Sequence, residues 1–507
     1  MAPKITPYRI ATISERASEF YRSGRPNEAV SILAPVMPFA GKISGTQAIY
    51  GKSLSSLGQH ENSVPYLRRA VKLEPSDHEL RIEFSLALKL AGEFDNALEQ
   101  VKRARESGRW HPKAVFVEAE LLMDSGLYQN ATELLDAFES NADEKFRTPY
   151  NMAQLCTTRT RLVPNFIAAE SVLDDAYAYA DHMDVPTRQR AMLWFSISVM
   201  LDKVGKFDDA MAAIVRSKEL NATRWNAKEH TERTRACIDA WTSASAGELP
   251  TARVDGSGIV FILGMPRSGS SLLEQMLSCH TDVVGLGERN EVISAADAIH
   301  TSKPWLLPMV TNLNQLTPKF CQQLAMQMAD SYNSQRRGGV KYVIDKQPFN
   351  FVNVPLLARL LPGCRVLHTI RDPRDTAMSY FMQWFVGSHG QSNSLDSIGK
   401  YYRDYRQMMD AWSTLDAPKH CPELLDVHYE SLVAEPENTI RGALDFLGLD
   451  FDPGVLNHTR SERVVPTASR DQVRSELYKS SIQRWKRYEN YIAPIEQHAG
   501  KYIPKGG

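Results

Sequence analysis

Five glycines constrain the first half of the chain more than any other feature. Gly24, Gly58, Gly92 and Gly126 recur at intervals of 34 residues, and Gly205 carries the same local pattern. A small residue follows each glycine by five positions: Ala29, Ser63, Ala97, Ala131 and Ala210. Another precedes each by seven: Ala17, Gly51, Ser85, Ala119 and Ser198. A bulky apolar residue stands four before: Phe20, Leu54, Leu88, Leu122 and Leu201. Small residues let two helices approach closely, bulky ones fill the groove between them, and the glycine turns the chain. One such pair cannot bury its apolar face alone, so the units stack into an all-α solenoid. A recurrence of 34, not 7, argues against a coiled coil. The 79 residues between Gly126 and Gly205 leave room for two units, the intervening one irregular.

The segments Leu-Gly-Gln-His-Glu-Asn-Ser at 57–63, Ala-Gly-Glu-Phe-Asp-Asn-Ala at 91–97 and Ala-Val-Lys-Leu-Glu-Pro at 70–75 resemble the tetratricopeptide repeat, and the likeness spans residues 5–225. What it implies is a surface that binds a peptide or protein. The plainer alternative is a helical array that only stabilises its neighbour.

Residues 242–258 change character, with Ser, Gly, Pro and Ala replacing the helical pattern. The expected organisation is a repeat domain over 1–241, a linker over 242–258 and a second domain over 259–507. Lys plus Arg total 59 against 60 for Asp plus Glu, so no basic excess points to nucleic acid. The six cysteines lie far apart with no C-x-x-C pair, which argues against a zinc site or a disulfide framework. The N-terminus has no apolar signal core, and no apolar run reaches the ~18 residues of a membrane helix. A cytoplasmic protein with no membrane span is expected.

Gly258-Ile-Val-Phe-Ile-Leu-Gly264 reads as a buried strand. Gly264-Met-Pro-Arg-Ser-Gly-Ser-Ser271 follows it and runs into the helical Leu272-Leu-Glu-Gln-Met-Leu277. A strand, a glycine turn and a helix N-terminus make an anion cradle, because free N–H groups and the positive helix end face the turn. The hydroxyls of Ser268, Ser270 and Ser271 can donate as well. Gly264 and Gly269 have the spacing of the nucleotide-binding P-loop, but Ser270 stands where its lysine belongs. That disfavours a kinase or NTPase. The cation is Arg267, earlier in the loop.

Pro-Arg-Ser-Gly-Ser-Ser after an apolar strand resembles the 5′-phosphosulfate loop of sulfotransferases, and the order of later segments resembles the branch holding repeat-linked and tyrosylprotein sulfotransferases. The likeness covers residues 258–490. It implies a P-loop-like α/β domain with a mostly parallel sheet. The implied co-substrate is 3′-phosphoadenosine-5′-phosphosulfate, its sulfuryl group passing to a hydroxyl of a protein tyrosine, a carbohydrate or a small metabolite. No metal is required. The resemblance makes Glu288 the general base, with Glu291 as fallback, and Lys346 the cation at the leaving-group oxygen. Arg267, Ser268, Gly269, Ser270 and Ser271 bind the donor's 5′ end, and Arg371 and Ser379 its 3′-phosphate. Tyr429 lies against the adenine, Ser469 touches the transferred group, and Arg484 supplies a further cation. Asn290 and Gln383 stand where the tyrosine branch has arginines. His368, in an apolar strand, is expected to be a buried satisfied imidazole, and Arg374 a helix-face ion pair. Two rivals are a repeat scaffold with an inactive nucleotide-binding domain and a divergent P-loop kinase.

Overall fold

The computed structural model describes residues 6–504 apart from 109, 164–165, 222, 224, 244–247, 300–307, 386–388, 417–418 and 458–481. Contacts divide the chain into two compact units, Met1–Leu220 and Asn221–Gly507.

The first unit is a succession of helical pairs. They are α1 (Pro7–Arg22) with α2 (Pro26–Leu33), α3 (Ser44–Ser56) with α4 (His60–Leu73), and α5 (His78–Leu90) with α6 (Phe94–Ser107). Then follow α7 (Pro112–Asp124) with α8 (Tyr128–Asn141), α9 (Pro149–Arg159) with α10 (Phe166–Ala180), and α11 (Thr187–Lys203) with α12 (Phe207–Leu220). The five recurrent glycines sit in the turns of five pairs with φ between 74° and 83°. A Cβ there would meet nothing within 4 Å, so the left-handed torsion, not crowding, selects glycine. Crowding governs the other small positions. A Cβ on Gly51 would come within 2.7 Å of Leu67 Cγ. Ala17, Ser85, Ala119 and Ser198 are fully buried. The pair α9–α10 is the irregular unit and turns without a glycine.

The second unit opens with α13 (Ala227–Thr242), ahead of the expected linker. Its Trp241 Nε1 donates to Val310 O at 3.0 Å, and His230 Nδ1 meets Asp404 Oδ2 at 3.0 Å. These contacts explain why the compact division falls at Leu220, not at residue 241.

The centre of this unit is a five-stranded sheet in the order β2-β3-β1-β4-β5. The strands are β1 (Ile259–Gly264), β2 (Val283–Gly285), β3 (Tyr342–Lys346), β4 (Arg365–Ile370) and β5 (Glu423–His428). Every pairing is parallel. Parallel strands need covered faces, and the unbroken apolar run of β1 is buried along its whole length. Helix α14 (Ser270–Leu277) returns from β1 and packs Leu273, Met276 and Leu277 on Val260 and Ile262. Because all five strands run the same way, the loops leaving them emerge at one edge, where open α/β sheets bind ligands.

Candidate functional site

Each strand delivers one piece of the site. The loop after β1 bends sharply at Gly264, where a Cβ would lie 2.4 Å from Thr369 O of β4. Arg267 then takes φ +74°, which non-glycine residues rarely adopt. Its carbonyl accepts a hydrogen bond from Arg371 Nη1 at 3.0 Å, and its Nε donates to Ser379 Oγ at 3.0 Å. These bonds hold a strained residue in place, as happens at functional loops. Gly269, at φ +98°, ends the loop, and a Cβ on it would lie 2.4 Å from Tyr429 Cδ2. Tyr429 therefore packs directly on the loop. The guanidinium of Arg371 lies 4.5 Å from the centre of the same ring.

Three cations converge here. Burial, and then the neighbouring charges of Arg371 and Arg484, push the Arg267 guanidinium down to about 10. Like charges held this close favour an anion beside them, and Arg371 already has the buried Asp375 carboxylate at 3.9 Å. Arg484 is brought in by Asp375, whose carboxylate accepts the N–H groups of Gln483 at 2.8 Å and Trp485 at 2.9 Å. No spacing rule signals Asp375, because its partners lie more than a hundred residues along the chain.

Ser270 and Ser271 open α14 and are buried, as an anion cradle requires. Ser268 is engaged within the loop. Its hydroxyl and its N–H both donate to Met265 O, at 2.7 and 3.2 Å, so it shapes the loop from inside. Ser469 lies outside the described residues.

The turn after β2 carries Glu288. Its Oε1 lies 2.6 Å from Lys346 Nζ at the end of β3. The lysine side chain is 1% exposed and the glutamate 45%, so a desolvated cation faces a carboxylate that solvent or substrate can reach. Glu291 is committed elsewhere. Arg289 Nε donates to it at 3.1 Å and Ser331 Oγ at 2.8 Å. Burial raises its carboxyl pKa, but these bonds outweigh that and hold it below the ordinary range. A cavity of about 590 Å³ opens beside Glu288 and is lined by Asn290, Ser294, Leu324, Gln327 and Met328.

Three further polar side chains nearby are engaged by internal partners. His368 is buried, bonded to Asp426 Oδ1 at 2.7 Å through Nδ1 and to the Tyr405 hydroxyl through Nε2. Arg374 pairs with Asp372 at 2.7 Å and stacks 3.9 Å from the Trp485 ring, buried instead of on a helix surface. His389 stacks on Phe385 with ring centres 4.6 Å apart and meets the Tyr380 hydroxyl at 3.0 Å.

Asp345, beside Lys346, is fully buried and accepts the Tyr332 hydroxyl at 2.7 Å. Burial pushes its carboxyl from 3.8 up to about 7. A raised pKa means the folded state holds this proton more tightly than the unfolded chain. That stability is full below pH ~4 and is lost as pH rises toward 7. Urea unfolding between pH 4 and 7 should therefore show wild type losing up to ~1.4 kcal/mol per pH unit relative to Asp345→Asn. Parallel pH dependences would refute the assignment.

Residues 260–453 match the sulfotransferase family, and residues 46–77 match the tetratricopeptide repeat. An uncharacterized protein of Aquifex aeolicus (strain VF5) is 29% identical over 346 residues, covering 64% of this chain and 45% of that protein. Protein-tyrosine sulfotransferase 1 of Danio rerio is 27% identical over 213 residues, covering 39% of this chain and 56% of that protein. The sulfotransferase domain from the Synechococcus PCC 7002 olefin synthase aligns at 21% identity, covering 50% of this chain and 98% of that domain, with a TM-score of 0.33. The chain spans about half the length of these curated relatives. Along the chain, the sulfotransferase-family match follows the tetratricopeptide-repeat match. No helix among the described residues is long and apolar enough to cross a membrane.

Proposed function

We propose that the second unit moves a sulfuryl group from 3′-phosphoadenosine-5′-phosphosulfate to an acceptor hydroxyl. One observation carries this reading. Arg267, Arg371 and a buried lysine 2.6 Å from a half-exposed carboxylate stand where the parallel strands end, and the C-terminal segment adds Arg484 beside Arg267.

The loop N–H groups of Gly269–Ser271, the hydroxyls of Ser270 and Ser271, and Arg267 take the donor's 5′ end. Arg371 and Ser379 take its 3′-phosphate, since a guanidinium fork can donate two parallel bonds. Tyr429, wedged between Gly269 and Arg371, borders the adenine. Arg484 adds positive charge, and Ser469 is a proposed contact to the transferred group.

As the acceptor oxygen bonds to sulfur, its proton passes to the Glu288 carboxylate. The electron pair of the breaking S–O bond leaves with the bridging oxygen, which the Lys346 ammonium stabilises. Before donor binds, Lys346 holds Glu288. Turning that ammonium to the bridging oxygen frees the carboxylate to act as base. The products are a sulfate ester and adenosine 3′,5′-bisphosphate.

The cavity beside Glu288 is where the acceptor enters. Protein-tyrosine relatives favour a tyrosine acceptor, while Asn290 in the lining departs from that branch and keeps carbohydrates and small metabolites in the reading. The repeat unit is proposed to bind a peptide or protein. The reading places the chain in a reducing, cytoplasmic setting, where widely spaced cysteines stay as thiols.

The decisive experiment is calorimetric titration of the full chain with adenosine 3′,5′-bisphosphate in metal-free buffer. Wild type should bind. Arg371→Ala should bind roughly 10–100-fold more weakly, the worth of a lost charge-assisted contact. If wild type does not bind the bisphosphate, the sulfotransferase reading fails.

A further inference from the structure

The turn that carries Glu288 is held more firmly than its exposed position suggests. Leu286 N–H donates to Ile344 O at 2.8 Å, and Gly287 O accepts Lys346 N–H at 2.9 Å. These two bonds continue the pairing of β2 with β3. Two further bonds come from buried carboxylates. Gly287 N–H donates to Glu274 Oε1 at 2.8 Å, and Arg289 N–H donates to Asp345 Oδ1 at 3.3 Å. The residues on either side of Glu288 are thus each tied to an acid in the interior.

Glu274 is the informative one. It is 1% exposed, on a helix face that otherwise packs Leu273, Met276 and Leu277 into the core. A leucine would suit that packing. A carboxylate buried there is unfavourable unless hydrogen-bonded, so its presence calls for a specific reason. The geometry supplies one. Glu274 stands four residues after Ser270, so both lie on one face of α14. The helix offers its first turn to the donor's anion and its second turn to the base-bearing turn. Gly287 itself sits at φ +71°, a left-handed torsion that glycine adopts freely.

We propose that Glu274 is a positioning residue that sets Glu288 at a fixed distance from the anion cradle. Asp345 provides the second pin. The kinetic half of this inference rests on the sulfotransferase reading of the same site. The structural half does not.

The test compares wild type, Glu274→Leu and Glu274→Gln in the full chain. Glutamine keeps an oxygen that can accept the Gly287 N–H, while leucine keeps the packing alone. The first readout is hydrogen exchange of the peptide covering 283–290. Leucine should speed exchange there at least tenfold, and glutamine should restore wild-type protection within about threefold. The second readout is kinetic, with adenosine 3′,5′-bisphosphate affinity measured beside it. Leucine should lower kcat for bisphosphate release by about 10²-fold, the usual consequence of misplacing a reacting group by 1 Å. Glutamine should recover most of this loss, and bisphosphate affinity should stay within threefold for both variants. Unchanged exchange in Glu274→Leu overturns the clamp. Faster exchange with unchanged kcat overturns the positioning role. A wild type that binds no bisphosphate fails the sulfotransferase reading, and exchange still decides whether the clamp exists. A wild type that binds it but never releases it from the donor overturns the kinetic half.

Discussion

Glu288→Gln should abolish sulfuryl transfer while leaving donor binding intact. An acceptor hydroxyl is a weak nucleophile near neutral pH, and a positioned base contributes about 10²–10⁴-fold. Glutamine keeps the size of the side chain and an oxygen for Lys346, but it cannot take a proton. The expected result is a fall of that magnitude in kcat, measured as bisphosphate release with whichever acceptor supports wild-type turnover. Affinity for adenosine 3′,5′-bisphosphate should be unchanged, because the cradle draws on Arg267, Arg371 and Arg484. Glu291→Gln is the control. Its carboxylate is tied to Arg289 and Ser331, so losing its charge should disturb the turn but not remove the base. A Glu288→Gln enzyme with near-normal kcat would assign the proton transfer elsewhere.

Lys346→Ala should produce the second large loss, for a different reason. Its ammonium is 1% exposed, and in such a setting a fixed cation acts on developing charge far more strongly than in water. Removing one preorganised contact of this type costs about 10²–10³-fold in kcat. Lys346→Arg should not restore the rate. The guanidinium is a wide planar fork, and the site holds a point charge at the end of β3. Bisphosphate affinity is the discriminating measurement. If Lys346 acts on the bridging oxygen, the product, which has already lost the S–O bond, should bind Lys346→Ala nearly as well as wild type. A parallel collapse of bisphosphate binding would make Lys346 a plain binding residue.

Much of the molecule is legible in local pattern. The 34-residue recurrence placed the helical pairs, because small residues at helix crossings and a left-handed glycine between helices are requirements of one pair at a time. The irregular pair α9–α10 is the exception, since its turn is made without the glycine. The loop from Gly264 to Gly269 was readable for the same local reason: strand, turn and helix follow one another without a gap. Three neighbouring hydroxyls look alike in sequence, and only the folded loop shows the one of Ser268 donating to Met265 O. The compact division at Leu220 differs from the expected boundary at 241 because α13 is a helix like those before it in sequence. Its allegiance to the second unit lies in Trp241 and His230, whose partners Val310 and Asp404 are distant in the chain.

The sequence by itself determined which short segments are helices, where the glycine loop between β1 and α14 lies and which polar residue types flank it. The tertiary structure alone decided how those residues meet. Arg267, Glu288, Lys346, Arg371 and Tyr429 share an edge because five parallel strands in the order β2-β3-β1-β4-β5 release their loops on the same side. The bonds from Glu274 to Gly287 and from Asp375 to Gln483 and Trp485 leave no periodic trace. Periodicity records which face of an element is buried. It does not record which distant backbone N–H a buried carboxylate will accept, because that depends on where the sheet carries each loop.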